Sequence, residues 1–245
     1  MRRHPQRQHG FTLIELMISI AVGLFLVGGL LTILQNIGKT RTNQTLLTQL
    51  QDNQRLAMTM ITDVIQSAGY FPDPTTYTSL TALPGETVGG TTFVAGQALS
   101  GTRVATDPGD TIVARFYTLS GDTIVNCVGG TNASLGPLGY VNKFSVTADG
   151  KLACALDAEA ATPLVDGLKR MDVWYGVKKS FAIDNNNVDS YLTADQMVAP
   201  ADWSNVSSVK VRLTFANPLY PQPGQATTIQ FTRIIAVMSR TGVKS

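Results

Sequence analysis

From Phe11 to Leu34 the chain runs for 24 residues without a basic residue or a proline, and its one charge is Glu15. At 1.5 Å per residue such a stretch makes about 36 Å of helix, enough to cross a hydrocarbon layer of about 30 Å. Beyond it the apolar positions become periodic: Leu46, Leu50, Ala57, Ile61, Val64, Ile65 and Ala68 fall mostly three or four apart. That spacing predicts an amphipathic helix with one face laid on a domain. Gln, Leu and Met, all good helix formers, dominate from Gln44 to Gln66, and Gly69 followed by Tyr70, Phe71 and Pro72 supplies a stop. The expectation is one helix from Phe11 to Ala68, apolar all round in its first half and two-faced in its second.

From Pro72 to Asp110 the pattern dissolves into Thr, Gly and Pro, which predicts a long irregular connection. Strand signals follow at TIVARFY (111–117), TIVNC (123–127), NKFSVTA (142–148), KLACAL (151–156) and MDVWYGV (171–177). Val209, Val211, Leu213 and Phe215 alternate with Lys210, Arg212 and Thr214, a half-buried strand of period two. Ile229, Phe231, Ile235 and Val237 suggest its partner across NPLYPQPGQA. An α+β fold follows, with the Leu46 to Ala68 stripe covering an antiparallel sheet. Trp174 and Trp203 are read as core or helix-packing residues.

Charge adds topology to this picture. Only 15% of the 245 residues are charged, and 19 basic against 17 acidic is too even to suggest nucleic acid. Arg2, Arg3 and Arg7 precede the apolar run and predict a cytoplasmic N-terminus, with the rest of the chain across the membrane. In an oxidising compartment the only cysteines, Cys127 and Cys154, suggest one disulfide, with two buried thiols as the alternative. The run is longer than a secretory signal core, and QNIGKTRTNQ after it offers no small-residue cleavage site, so a plain anchor is the simplest reading.

The residues around Gly10 change that reading. A charged leader ends in glycine, phenylalanine follows, and glutamate is fifth in the apolar run. GFTLIELM resembles the type III signal of type IV pilins and pseudopilins. The segments LQDNQRLAMTMITDVIQSAGY, PLVDGLKRMDVWYGV, the DW of PADWSNVSSVKVRLTF and RIIAVMSR look like the PilW family of minor pilins, which is related to the J-type pseudopilin of type II secretion. No proline interrupts the apolar run, unlike that of major pilins, though Gly23, Gly28 and Gly29 can weaken it.

The resemblance implies a pilin fold, with a long N-terminal helix packed on an antiparallel sheet. It implies a leader over 1–10, cut by a prepilin peptidase between Gly10 and Phe11, and N-methylation of the new Phe11 amine. Residues 11–34 would be the membrane span and later the fibre core, 35–69 an amphipathic helix, and 70–245 a β-rich periplasmic or extracellular domain. The partners implied are other minor pilins and the pilus fibre, the peptidase, an inner-membrane assembly platform, and lipid before assembly. The subunit would wait in the bacterial inner membrane and move to a fibre at the cell surface.

A carboxylate at mid-membrane is unfavourable by about 2.5 to 3.5 kcal/mol, but Glu15 lies only about 6 Å along the axis from Phe11 and can stay near the headgroups. In a fibre core that escape is lost and a cation is required. The resemblance supplies the Phe11 amine of an adjacent subunit, and the run from Phe11 to Leu34 holds no cation of its own.

His4 and His9 both lie in the leader, so the mature chain would have no histidine for a triad or a zinc site. The chain contains no G-x-S-x-G or phosphate loop, and it is read as no enzyme, without cofactor or metal. DNNNVD, Asp184 to Asp189, hints at calcium but departs from EF-hand spacing and is read first as a solvated turn. The function expected is that of a minor pilin that helps initiate or cap a type IV pilus. The alternatives are a J-like pseudopilin of type II secretion and a membrane-anchored periplasmic enzyme or binding protein.

Overall fold

A computed structural model describes residues 10–178, 188–198 and 200–240. The charged leader before Gly10 and most of the DNNNVD stretch, Asp184 to Asn187, lie outside the described residues. The chain divides into two compact units, one ending at Thr48 and one beginning at Gln49. Helix α1, Leu13–Ser67, contributes to both.

In the first unit every large apolar side chain from Phe11 to Leu34 is exposed. The helix is long and apolar enough to cross a membrane. Gly23, Gly28 and Gly29 have nothing within 4 Å of where a Cβ would stand. This chain's own fold therefore does not require them.

In the second unit α1 buries Leu50, Ala57, Met58, Ile61, Val64 and Ile65, and Ala68 just beyond the helix joins the same core. From Leu50 onward the stripe is the one the spacing predicts, with Met58 added, while Leu46 is only partly buried. The helix ends where expected: Gly69 takes a φ of +78°, which glycine adopts without strain, and Ala68 O accepts from Ser239 Oγ at 2.7 Å.

The expected irregular connection contains a one-turn helix α2 (Ser79–Ala82), a hairpin of β1 (Glu86–Val88) and β2 (Thr91–Phe93), and a strand β3 (Leu99–Thr102). Both hairpin turn residues, Gly89 and Gly90, have positive φ, as a tight two-residue turn demands. Gly89 also lies so close to the Asp157 carbonyl that no Cβ would fit. Beyond them run β4 (Thr111–Thr118), β5 (Leu138–Val146), β6 (Lys151–Leu156), β7 (Thr162–Asp166) and β8 (Leu168–Val177). They are followed by β9 (Ser190–Leu192), the short α3 (Pro200–Ser204), β10 (Val206–Ala216) and β11 (Thr228–Ala236).

Instead of one sheet these strands form two larger antiparallel sheets, ordered β11-β10-β8-β9 and β3-β4-β5-β6-β7. One hydrophobic core lies among α1 and both sheets, with Val209, Val211, Leu213 and Phe215 of β10 buried in it. The sheets meet where Gly109 bridges Met171 and Asp110 N donates to Met171 O at 2.8 Å. A Cβ on Gly109 would collide with Met171 O, so the junction needs glycine.

The TIVNC segment is a correction. Among the described residues its only ladder contact is an isolated bridge between Val125 and Thr131. Side chains take the place of a partner strand there: Asp122 accepts from Leu119 N and Ile124 N, Asn126 from Val128 N and Gly130 N, and Asn142 from Cys127 N. Local Asx bonding of this kind competes with strand pairing. Cys127 and Cys154 are buried and joined in a disulfide, with Cα atoms 6.2 Å apart, which ties this loop to β6.

The tryptophans part company. Trp203 packs on the core, edge-on to Tyr175 at 4.8 Å between ring centroids. Trp174 instead lies on the outer face of β8, half-exposed, with Lys210 4.6 Å and Arg212 4.9 Å from its centroid. Period two decides this: Val173 and Tyr175 point inward, so Trp174 between them cannot.

Candidate functional site at the helix N-terminus

Gly10, Phe11 and Glu15 sit together at the start of α1 in the first unit. Gly10 is exposed and a Cβ there would meet nothing within 4 Å, so neither packing nor backbone conformation demands glycine. Phe11 is 82% exposed. A large aromatic left so open stabilises nothing within this chain.

Thr12 is the helix N-cap, a role that spacing alone did not single out. Its Oγ1 accepts from Glu15 N at 3.3 Å and donates to a Glu15 carboxylate oxygen at 3.5 Å. Threonine followed three residues later by glutamate is the capping-box pattern, and TLIE in the sequence carried that signal. The outer bond is long for O–H···O, so the cap holds the carboxylate loosely. Ser19 Oγ donates to Glu15 O at 2.7 Å, which occupies the backbone carbonyl and leaves the carboxylate unaffected.

Among the described residues the site therefore presents a carboxylate with one weak partner, on a stretch of helix whose large apolar side chains are uncovered. A carboxylate so placed is a ready acceptor for a cation brought in by another chain, and the surrounding apolar side chains would strengthen that pairing by excluding water.

A second charged group lies in the unit beginning at Gln49. Asp172 accepts from Arg170 Nε at 2.7 Å, Arg212 Nη2 at 3.0 Å and Arg103 Nη1 at 3.4 Å. Asp110 accepts from Arg103 Nη1 at 2.9 Å and from the backbone of Val104 and Val173, each at 2.9 Å. Both carboxylates are buried. They hold the approach to β4 against β8. Burial alone would raise the Asp172 carboxyl, but hydrogen bonds from Arg170 and Arg212 outweigh it, so its pKa lies below the ordinary value.

A depressed folded-state pKa gives stability that is fully present above the unfolded value of about 4 and is lost as pH falls through the lower folded value. Acid titration of the unfolding midpoint should show this loss below about pH 4 in the native chain, and a smaller one in Asp172→Asn. Equal acid sensitivity of the two proteins would contradict it.

Among the described residues no cluster of three or more His, Cys, Asp and Glu side chains could hold a metal. The family described as type IV pilus-assembly protein W matches residues 145–234, from β5 through most of β11. The prokaryotic N-terminal methylation motif matches residues 5–31, which include Gly10, Phe11, Thr12 and Glu15. Comparison with individual curated proteins gives no match.

Proposed function

We propose, for a chain that belongs to the PilW family of type IV pilus-assembly proteins, that this minor pilin helps initiate or cap the pulling of subunits from the membrane into a fibre. The observation that carries the reading is the N-terminus itself. A methylation motif lies over the first stretch of the long helix, where every large apolar side chain from Phe11 to Leu34 is exposed, with a loosely held Glu15 at its start. Exposed apolar surface on this scale calls for lipid or neighbouring helices.

Cleavage between Gly10 and Phe11 would remove the charged leader and place a new amine about 6 Å along the axis from Glu15. Methylation of that amine keeps its positive charge. Glu15 of one subunit then meets the Phe11 amine of the next, and the pair is neutral enough to be buried among apolar helices. Gly23, Gly28 and Gly29, which serve no packing within the chain, leave room for close helix approach in such an assembly. The disulfide-tied second unit stays outside the membrane, with other minor pilins as its partners and the inner-membrane assembly platform as the site of recruitment.

The mass of the mature N-terminus tests the processing step. A chain beginning at N-methyl-Phe11 is expected, and an intact leader ending in uncut Gly10 would contradict the reading. In a deletion strain, loss of surface pili with secretion of enzymes preserved is expected. Preserved pili with failed secretion would point to a pseudopilin.

A further inference from the structure

The four-stranded sheet ends on β11, which pairs with β10 alone among the described residues. Asn217 N donates to Thr227 O at 3.0 Å and Val237 N to Ser207 O at 2.9 Å, both in the register that runs through the whole β10–β11 ladder. In an antiparallel pair the closely bonded positions recur every second residue. Ile229, Phe231, Arg233 and Ile235 therefore spend their backbone groups on β10. Gln230, Thr232 and Ile234 turn theirs outward, to the open edge.

The other edges of the two larger sheets are blunted. β9 has three residues and β3 four, while the five residues of β7 include Pro163. β11 has nine residues, with no proline, lysine or acidic residue. Gln230, Thr232, Arg233 and Ile234 are exposed, Ile234 by 59%. A long edge of this kind is a template for pairing with another strand, and proteins that must avoid such pairing mask it.

Charge selects the occupant. Arg233 donates to Thr62 Oγ1 at 3.2 Å, and among the described residues no carboxylate forms a salt bridge with it. Behind the edge, on the opposite face, stand Lys210 beside Ile234 and Arg212 beside Thr232. A second copy pairing antiparallel about Thr232 would bring two Arg233 side chains to diagonal positions about 7 to 8 Å apart, inside the screening length at physiological salt. An acidic strand meets no such repulsion, because a glutamate directly across from Arg233 makes a favourable cross-strand pair.

We propose that the outer edge of β11 receives an extended acidic segment of another chain by strand addition, with an acidic side chain opposite Arg233. The proposal holds whether or not the chain enters a pilus, so its failure would leave that reading intact. The test uses the full chain in detergent micelles and a capped nine-residue peptide of alternating valine and threonine with one central glutamate. Saturable binding is expected, weakened by about tenfold or more in Arg233→Glu and recovered there when the peptide carries lysine in place of glutamate. A peptide N-methylated at alternate backbone nitrogens, unable to pair with an edge, should not bind; Thr232→Pro, which removes an outward N–H and no bond to β10, should lower affinity for the unmodified peptide. Absence of saturable binding, equal binding of the N-methylated peptide, or indifference to Arg233→Glu would each overturn the proposal. Self-association abolished by Thr232→Pro would overturn it in favour of a second copy.

Discussion

Replacing Glu15 with valine is expected to leave the subunit inserted and its leader removed, yet to keep it out of fibres. Insertion depends on the apolar run, which valine extends. The proposed cleavage is between Gly10 and Phe11, and a side chain five positions along does not alter the residues that flank that bond. Assembly is different. The apolar run contains no lysine, arginine or histidine, so Glu15 has no basic partner within its own membrane segment. Among the described residues, the one side-chain contact to its carboxylate is the long bond from Thr12. In the proposed fibre, loss of the carboxylate would leave the Phe11 amine of the neighbouring subunit uncompensated in an apolar core. Leaving one partner of a buried pair alone is unfavourable by about 3 to 5 kcal/mol, more than about a hundredfold in the equilibrium of incorporation. Immunoblots of sheared surface fibres and of membranes, probed in parallel, measure it. Thr12→Val is the control, since it removes the cap, worth about 0.5 to 2 kcal/mol of helix stability, and leaves the charge. Recovery of Glu15→Val in fibres at native levels would end the case for the pair.

What the sequence made legible follows physical range. The long helix and its buried face could be read because three-and-four spacing is a local signal, and α1 runs within two residues of the expected span. KLACAL matches β6 residue for residue, since a short apolar run between turn residues leaves few alternatives. Two of the failures come from side chains that replace or supplement backbone pairing. TIVNC has strand composition, but Asp122, Asn126 and Asn142 satisfy the backbone where a neighbouring strand would have done so. The stretch from Pro72 to Asp110 lacks periodicity, yet it holds a hairpin and an edge strand, because what orders them lies beyond the stretch: the β4 ladder for the edge strand and one β4 side chain around the hairpin. Thr12 is a different kind of miss: its T-x-x-E pattern was present in the sequence, overshadowed by the glutamate at the end of that pattern.

The residue that gathers the 83–97 part of the 72–110 stretch is Arg115, and Arg115→Met is expected to destabilise the chain by about 3 to 5 kcal/mol, near the upper end for single substitutions. The TIVARFY pattern invites a solvent-facing arginine between Ala114 and Phe116, but its side chain is only 1% exposed. Its guanidinium donates to Gln97 O at 2.6 Å, Pro84 O at 2.7 Å, Val94 O at 3.1 Å and Leu83 O at 3.2 Å, and to Glu86 Oε1 at 2.8 Å. It also lies 4.5 Å from the ring centroid of Phe93, which packs with Val113 and Val141 beneath the β1–β2 hairpin. Burial lowers the guanidinium's pKa and Glu86 opposes that, but arginine begins high enough to remain charged. One side chain thus gathers four carbonyls from a segment that has little ladder of its own. Methionine fills similar space and donates nothing, so Pro84 O and Gln97 O are left unpaired, each worth about 1 to 3 kcal/mol where water cannot reach, while Leu83 O and Val94 O keep only their bonds from Gly96 N and Gln97 N. Glu86 is itself partly exposed, so Glu86→Gln should change stability by less than about 1 kcal/mol. Denaturant unfolding of the full chain in detergent gives the totals. Hydrogen exchange separates local from global loss: amides of residues 83–97 should exchange faster in Arg115→Met, while the β4–β5 ladder keeps more of its protection. A variant within about 1 kcal/mol of the native chain would show that the segment is held by its apolar contacts and not by the arginine.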